Sequence, residues 1–303
     1  YVEASRVLAQ RELLATSNKG EVLDEVVIEN IFRAILARKP SNEEAGILSA
    51  AVKRYQDAFE KDAEAAKKFS GLSFIKSYED SDLNKFAPMV SKEYAGTLNS
   101  LTKGYGYFAW KPELVLSTLR NPDLDLDMVI WVDAGCELNS NAITRARFSS
   151  LVNRSLKRGY YFYDLDYPEE QYTKRDVLLK FPNVSSETRQ VQATFFMVTK
   201  AHVQLIENWT TCVLENIKNI DLSPSLDKES ASFIEHRFDQ SLLSLIVKTE
   251  NLEISNSRPF GGINSLRSLL HGLISPVWTI RNRTGDSLVN DQIKSFFFKQ
   301  RNL

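Results

Sequence analysis

A run of apolar residues, Met128-Val129-Ile130-Trp131-Val132, ends in Asp133, Ala134, Gly135 and Cys136. A strand that delivers a carboxylate to small residues at its end can hold a divalent ion or a sugar hydroxyl. Ala134 and Gly135 would let a ligand approach the backbone closely. A plain cap of the following turn is the competing reading of Asp133. The second cluster is Glu235-His236-Arg237-Phe238-Asp239-Gln240-Ser241, ahead of an amphipathic segment. Asp239 stands where a helix N-cap is expected. Capping leaves Glu235, His236 and Arg237 unexplained, and a carboxylate, an imidazole and a guanidinium this close can orient hydroxyls or move a proton. The third is Trp278-Thr279-Ile280-Arg281-Asn282-Arg283-Thr284. Arg281 and Arg283 could grip a diphosphate as charge-assisted forks, or stand as a surface basic pair.

Other arrangements are weaker or missing. Asp123, Asp125 and Asp127 alternate as in a calcium loop, but the glycine and the closing Glu are absent, so a solvated turn is expected. Asp164-Leu165-Asp166 has the Asp-x-Asp form that can bridge a metal and a diphosphate; at three residues a plain loop is the preferred reading. No Gly-x-Ser-x-Gly elbow and no phosphate-binding Gly-x-x-x-x-Gly-Lys-Ser/Thr loop occurs. Gly104-Tyr105-Gly106 does not continue into a dinucleotide fingerprint, and His202, His236 and His271 lack metal-ligand spacing.

These residues need elements to position them. The first 70 residues read as helical: Val27, Ile28, Ile31, Phe32, Ile35 and Leu36 recur at helical spacing, and Pro40 stops that helix. Ser41 and Glu44 open the next as a capping box. From residue 71 the pattern changes. Short apolar runs at 72–75, 128–132, 160–163 and 193–198 alternate with helical patterns at 112–119, 142–156, 200–217 and 239–247. That alternation predicts an α/β layered fold with a largely parallel sheet, where ligands bind beyond the carboxyl ends of strands. The expected organisation is a helical segment over 1–70 and a core over 71–303.

Composition sets outer limits. The chain has 303 residues, 43% of them hydrophobic, and a net charge of -1 from 38 basic and 39 acidic side chains. It is long enough for a full core without disulfide staples. The charge balance carries no broad cationic face, so no nucleic-acid partner is expected. Cys136 and Cys212 sit in apolar stretches and read as reduced, buried thiols. No apolar run reaches membrane-spanning length and no secretory leader is visible, so a cytoplasmic protein is the default. On that default the sequons at Asn153, Asn183, Asn208 and Asn282 are chance.

The motifs together resemble a group of bacterial glycosyltransferase-like proteins with the GT-A fold. The matching residues are Gly104-Tyr105-Gly106-Tyr107-Phe108-Ala109-Trp110-Lys111-Pro112, then Val132-Asp133-Ala134-Gly135-Cys136, Tyr167-Pro168-Glu169 and Tyr172-Thr173-Lys174-Arg175-Asp176. The strand bearing Gln192, the Glu235–Ser241 cluster, Pro276-Val277-Trp278 and Arg281-Asn282-Arg283-Thr284 continue it. The resemblance spans about residues 71 to 285, and the joint order is more specific than any one motif. It implies a Rossmann-like mixed sheet flanked by helices, with the N-terminal helices as an insertion and the opening strand of the fold ahead of residue 1.

The resemblance implies transfer of a sugar from a nucleotide diphosphate donor to a glycan or lipid-linked glycan hydroxyl, in surface polysaccharide assembly. Asp133 matches the first Asp of the metal and diphosphate motif, and Gly135 stands where the second would be. Trp110, Lys111 and Gln192 fall at the donor pocket, Asp239 and Gln240 near the sugar and acceptor, and Arg281 and Arg283 at the leaving diphosphate. Asp239, Glu235 and His236 are the catalytic candidates. Mn²⁺ or Mg²⁺ on Asp133 is the implied cofactor, with Glu137 or His271 as candidate helpers and a metal-free, Lys- or Arg-neutralised site as the alternative. The helical insertion is a candidate surface for a partner or the inner membrane face. The other readings are a non-catalytic binding or assembly module of the same fold, and a metal-assisted hydrolase using the Asp133 and His236 regions.

Overall fold

The computed structural model describes residues 68–69, 72, 75, 78, 82–99, 102–133, 136–138, 140–255, 260–261 and 275–279. The expected N-terminal helices, the run at 72–75 as a whole, Gly135, His271, Arg281 and Arg283 lie outside the described residues.

The centre is a three-stranded sheet of β1 (Met128–Val132), β6 (Phe195–Thr199) and β3 (Tyr160–Tyr161), in the order β1-β6-β3. Both neighbours run antiparallel to β6, with Met128 opposite Thr199, Val132 opposite Phe195 and Tyr161 opposite Met197. A largely parallel sheet is therefore not what the described strands form. The helical crossover between β1 and β3 does return the chain in the same direction, as an alternating pattern demands. The later strand β6 enters between them in the opposite sense and takes both ladders. Two smaller sheets complete the described strands. One is β2 (Cys136–Leu138) against β8 (Val277–Thr279), with β7 (Phe260–Gly261) parallel to β8. The other pairs β4 (Asp164–Pro168) with β5 (Arg189–Val191).

Strand β6 is buried along its whole length, and its side chains alternate between two cores. Phe195 and Met197 face Phe148, Leu151 and Val152 of α5 (Ala142–Arg158). Phe196 and Val198 face Leu116 and Leu119 of α4 (Trp110–Arg120), Leu205, Ile206 and Trp209 of α8 (Val203–Glu215), and Leu242 and Ile246 of α9 (Phe238–Thr249). The result is three layers, with one helix on one face and three on the other. Each large apolar side chain so buried contributes roughly 1.5–3 kcal/mol. Asn141 caps α5 by accepting from the Thr144 amide at 3.0 Å, and Gly159 ends it in the left-handed region.

Helix α4 brings the site together. Its N-terminal turn is buried on nearly every side, including Lys111 and Glu113. Glu113 accepts from the amides of Met89 at 2.8 Å and Val90 at 2.7 Å, at the start of α2 (Pro88–Glu93), which follows the short helix α1 (Leu83–Phe86). Two otherwise orphaned helix donors are satisfied by one carboxylate.

Candidate active site

The chain enters α4 through residues of the wrong hand. Gly104, Tyr105, Gly106, Tyr107 and Phe108 all have positive φ, from 51° to 89°. L-residues cost about 1–2 kcal/mol each in that region, and three of these are not glycine. At Gly106 a Cβ would stand 2.6 Å from Leu98 Cδ2, so a larger residue there would both strain a φ of 89° and push the Leu98 side chain aside. Phe238, the residue before Asp239, also has a positive φ of 51°. The two strained segments meet: Tyr107 stacks on Phe238 with centroids 5.6 Å apart, and Phe108 lies 6.3 Å from the same ring. Strain of this kind persists only where surrounding structure over-determines it, and it gathers at functional sites.

What the strained segments position is an ion trio. Lys111 Nζ lies 3.1 Å from Asp133 Oδ1 and 3.0 Å from Asp239 Oδ2. Sequence places the three residues at the start of α4, the end of β1 and the first turn of α9. The Lys111 side chain is 3% exposed and that of Asp239 5%, while Asp133 at 29% is the member that solvent reaches. The ammonium also donates to the Ala193 carbonyl at 3.5 Å and sits 5.0 Å from the Phe108 ring centre and 5.6 Å from that of Trp131. Trp131 Nε1 donates to Asp133 Oδ1 at 2.7 Å. Asp239 Oδ2 has no other polar partner, so Lys111 is what holds it.

Electrostatics follow from burial. Burial works against the Lys111 charge, but Asp133 and Asp239 outweigh it and leave the ammonium pKa raised. Burial pushes the Asp239 carboxyl up from 3.8 to about 6; the Lys111 charge pulls it down, and the Asp133 charge adds to the rise. Asp239 is inside α9 rather than at its N-cap, which Arg237 occupies. Its carboxylate therefore serves the trio. Its backbone carbonyl accepts from Trp209 Nε1 at 3.1 Å, which ties the start of α9 to α8.

The glutamines line up beside the trio. Gln240 Nε2 donates to Gln190 Oε1 at 2.6 Å, and Gln240 Oε1 accepts from the Ala193 amide at 3.4 Å. Gln192 donates to Thr194 Oγ1 at 3.2 Å, and the Thr194 carbonyl accepts from the Asp133 amide at 2.9 Å. Gln190 continues to Glu169 Oε2 at 3.3 Å. Glu169 is fully buried and held by Lys248 at 2.6 Å, by Thr173 at 2.8 Å and by Ser244. A polar chain thus runs from the trio into α9. Sequence reading missed Gln190 and Lys248 and gave Glu169 a place in a motif but no role; a Glu, a Gln and a Lys far apart in the chain carry no local signal of mutual burial. Trp110 is half-buried, donates to the Gly104 carbonyl at 3.2 Å and packs 6.2 Å from Trp131, walling the trio.

Not every candidate belongs here. His236 is 4% exposed, with Nε2 2.8 Å from the Asn219 carbonyl and Nδ1 accepting from the Lys174 amide at 3.2 Å. Burial first, then the Lys174 charge, hold its pKa down at about 3. That is a neutral imidazole with both nitrogens on main chain, a geometry for positioning rather than proton transfer. Its neighbour Lys174 reaches the carbonyls of Lys218 and Ser223 and Asp221 Oδ1, pinning the loop that follows α8. Glu235 is half-exposed and faces Arg237 at 3.8 Å, whose guanidinium lies 3.7 Å from the Tyr172 ring centre. Asp164 and Asp166 lie in β4, both facing the exposed Arg189 at 3.7 and 3.5 Å. A cavity of about 440 Å³ opens between Asp164, Thr188, Arg189, Lys248 and Ile254, away from the trio. It is open and shallow, and the buried, strained trio is the better candidate for chemistry.

No protein-family model matches the chain, and no curated protein matches it. A comparison with solved structures finds the apo form of mouse xyloside xylosyltransferase 1, at a TM-score of 0.37 and 12% identity, over 69% of this chain and 75% of that one. Among the described residues no helix is long and apolar enough to cross a membrane.

A divalent ion does not fit the trio as it stands. Its central position holds the Lys111 ammonium, at ammonium distances from both carboxylates. Among the described residues no three His, Cys, Asp or Glu side chains gather as ligands elsewhere.

Proposed function

We propose that the chain is a glycosyltransferase that moves a sugar from a nucleotide diphosphate donor to a hydroxyl acceptor. The observation that carries the reading is the buried Lys111 between Asp133 and Asp239. Three motifs that the resemblance associates with donor and acceptor meet there, flanked by backbone strain at 104–108 and Phe238. In the reaction the bond from the anomeric carbon to the diphosphate oxygen breaks, and its electron pair leaves on the diphosphate. The acceptor oxygen bonds the anomeric carbon and gives its proton to a carboxylate. Asp133, which solvent reaches, contacts the donor sugar. Asp239, with a carboxyl raised to about 6, is our candidate for the proton acceptor, because a base matched to working pH is the efficient one. Arg281 and Arg283 would take the charge of the departing diphosphate. The setting would be surface polysaccharide or glycan assembly at the cytoplasmic side of a membrane.

A second reading, a non-catalytic module of the same fold, draws on the closure of the trio: a lysine already satisfied by two carboxylates is also what a structural ion network looks like. Thermal unfolding against UDP, GDP, CMP and TDP separates the two. A ligand at a hundredfold excess over its Kd stabilises the fold by about 2.7 kcal/mol. A shift with one nucleotide that Asp133→Ala abolishes supports the transferase. No shift with any nucleotide points to the module.

A further inference from the structure

We propose that Lys111 is the resident cation of this site, and that nucleoside diphosphate binding to this protein needs no divalent metal ion. The nature of the ligand rests on the glycosyltransferase reading above; the identity of the cation does not. Lys111 Nζ contacts Asp133 Oδ1 at 3.1 Å and Asp239 Oδ2 at 3.0 Å. Mg²⁺ demands oxygens at about 2.0–2.1 Å, so an ion on both carboxylates requires each to move inward and the ammonium to leave. The ammonium has nowhere easy to go. It rises from the first turn of α4 and is walled by the Ala193 carbonyl and by the faces of Phe108 and Trp131. Two aromatic faces and three oxygens around one buried ammonium make a cage for a fixed monovalent cation.

The carboxylates are also committed. Asp133 Oδ1 already accepts from Trp131 Nε1 at 2.7 Å, and that indole can only donate. The residue two places on, where a second carboxylate would complete an ion site, is Gly135. Lysine supplies half the charge of a divalent ion at one fixed point. The trio therefore stays net negative.

The test is an Mn²⁺ titration followed by the resonance of the free ion, on wild type and Asp133→Asn, without nucleotide, because a diphosphate itself chelates Mn²⁺. Nucleotide affinity is measured in parallel in EDTA and in Mn²⁺. The expected result is no stoichiometric Mn²⁺ uptake by wild type and nucleotide Kd values within twofold in the two buffers. Lys111→Met should take up Mn²⁺ where wild type does not, because it leaves two carboxylates facing each other. One Mn²⁺ per wild-type chain, lost in Asp133→Asn, overturns the proposal whether or not the Lys111 variant folds. Nucleotide binding at least tenfold tighter in Mn²⁺ also overturns it and leaves the transferase reading intact. Absence of nucleotide binding in both buffers, with Mn²⁺ left free, removes the transferase reading and the metal-free binding with it, while Lys111 stands as the cation.

Discussion

Replacing Asp239 with Asn should change how stability depends on pH, with a sign fixed by burial. The carboxyl has an ordinary value of 3.8 when the chain is unfolded and about 6 when it is folded. Between these values the folded chain holds a proton that the unfolded chain has released. Raising the pH then weakens the fold: the contribution of Asp239 is fully present only well below pH 4 and is lost as the pH passes through about 6. At about 1.36 kcal/mol per unit, the loss is about 3 kcal/mol. Asn cannot titrate, so the difference between wild type and Asp239→Asn isolates this group; His236 is present in both chains and cancels. The assay is urea unfolding by tryptophan fluorescence at several pH values from 4 to 8, with Trp209 reporting from its bond to the Asp239 carbonyl. Wild type should lose roughly 2 kcal/mol relative to the variant between pH 4 and 7, the remainder of the loss falling below pH 4, and then run parallel to it. A flat difference, or one in which wild type gains with pH, would refute the reasoning and mean that the Lys111 charge outweighs burial at Asp239.

Other consequences can be checked separately. Lys111→Met removes the only charge compensating two carboxylates in the trio and should cost about 3–5 kcal/mol at neutral pH in the same unfolding assay. Gly106→Ala forces a side chain onto a φ of 89° and against Leu98, and should cost about 1–3 kcal/mol with a matching loss of donor binding. His236, held neutral with a pKa of about 3, should show no titration of its ring resonances between pH 5 and 8; a midpoint in that range contradicts the buried, two-bonded geometry. Asp133→Asn should abolish sugar transfer and lower the unfolding midpoint by less than Lys111→Met does, because this carboxylate supports the buried Lys111 charge but is the exposed member of the trio.

Much of the helical scaffold was legible. The patterns at 112–119, 142–156 and 239–247 became α4, α5 and α9, each extended by one to two residues at an end, because 3.6-residue spacing of apolar side chains reports a buried face directly. Strand pairing was not legible to the same degree. Apolar runs show that a strand is buried, but not which neighbour it takes, and the wedging of β6 between β1 and β3 depends on contacts 36 to 71 residues apart. At the site, Asp133 and Asp239 stood out by residue chemistry, while Lys111, Gln192 and Gln240 came from the resemblance; the structure places the five near one another. What local spacing could not give was the bond that joins them, since residues 111, 133 and 239 lie on three elements. His236 misled for the opposite reason. A histidine between charged residues in sequence looks reactive, and only its main-chain partners show both nitrogens spoken for.

The segment 104–108 is, locally, a mirror-image helical turn built from three L-residues and two glycines. Handedness is a property of each residue, so chemistry can exploit the mismatch. A D-amino acid prefers the backbone region that its L-counterpart avoids, and its Cβ leaves the chain on the opposite side from the one that meets Leu98. D-alanine introduced at position 106 by semisynthesis should therefore fit where L-alanine clashes. By thinning the alternatives of the unfolded chain it should lock the entry to α4 more firmly than glycine does. Stereochemistry at a single α-carbon would then tune how rigidly this turn presents Lys111 to its two carboxylates.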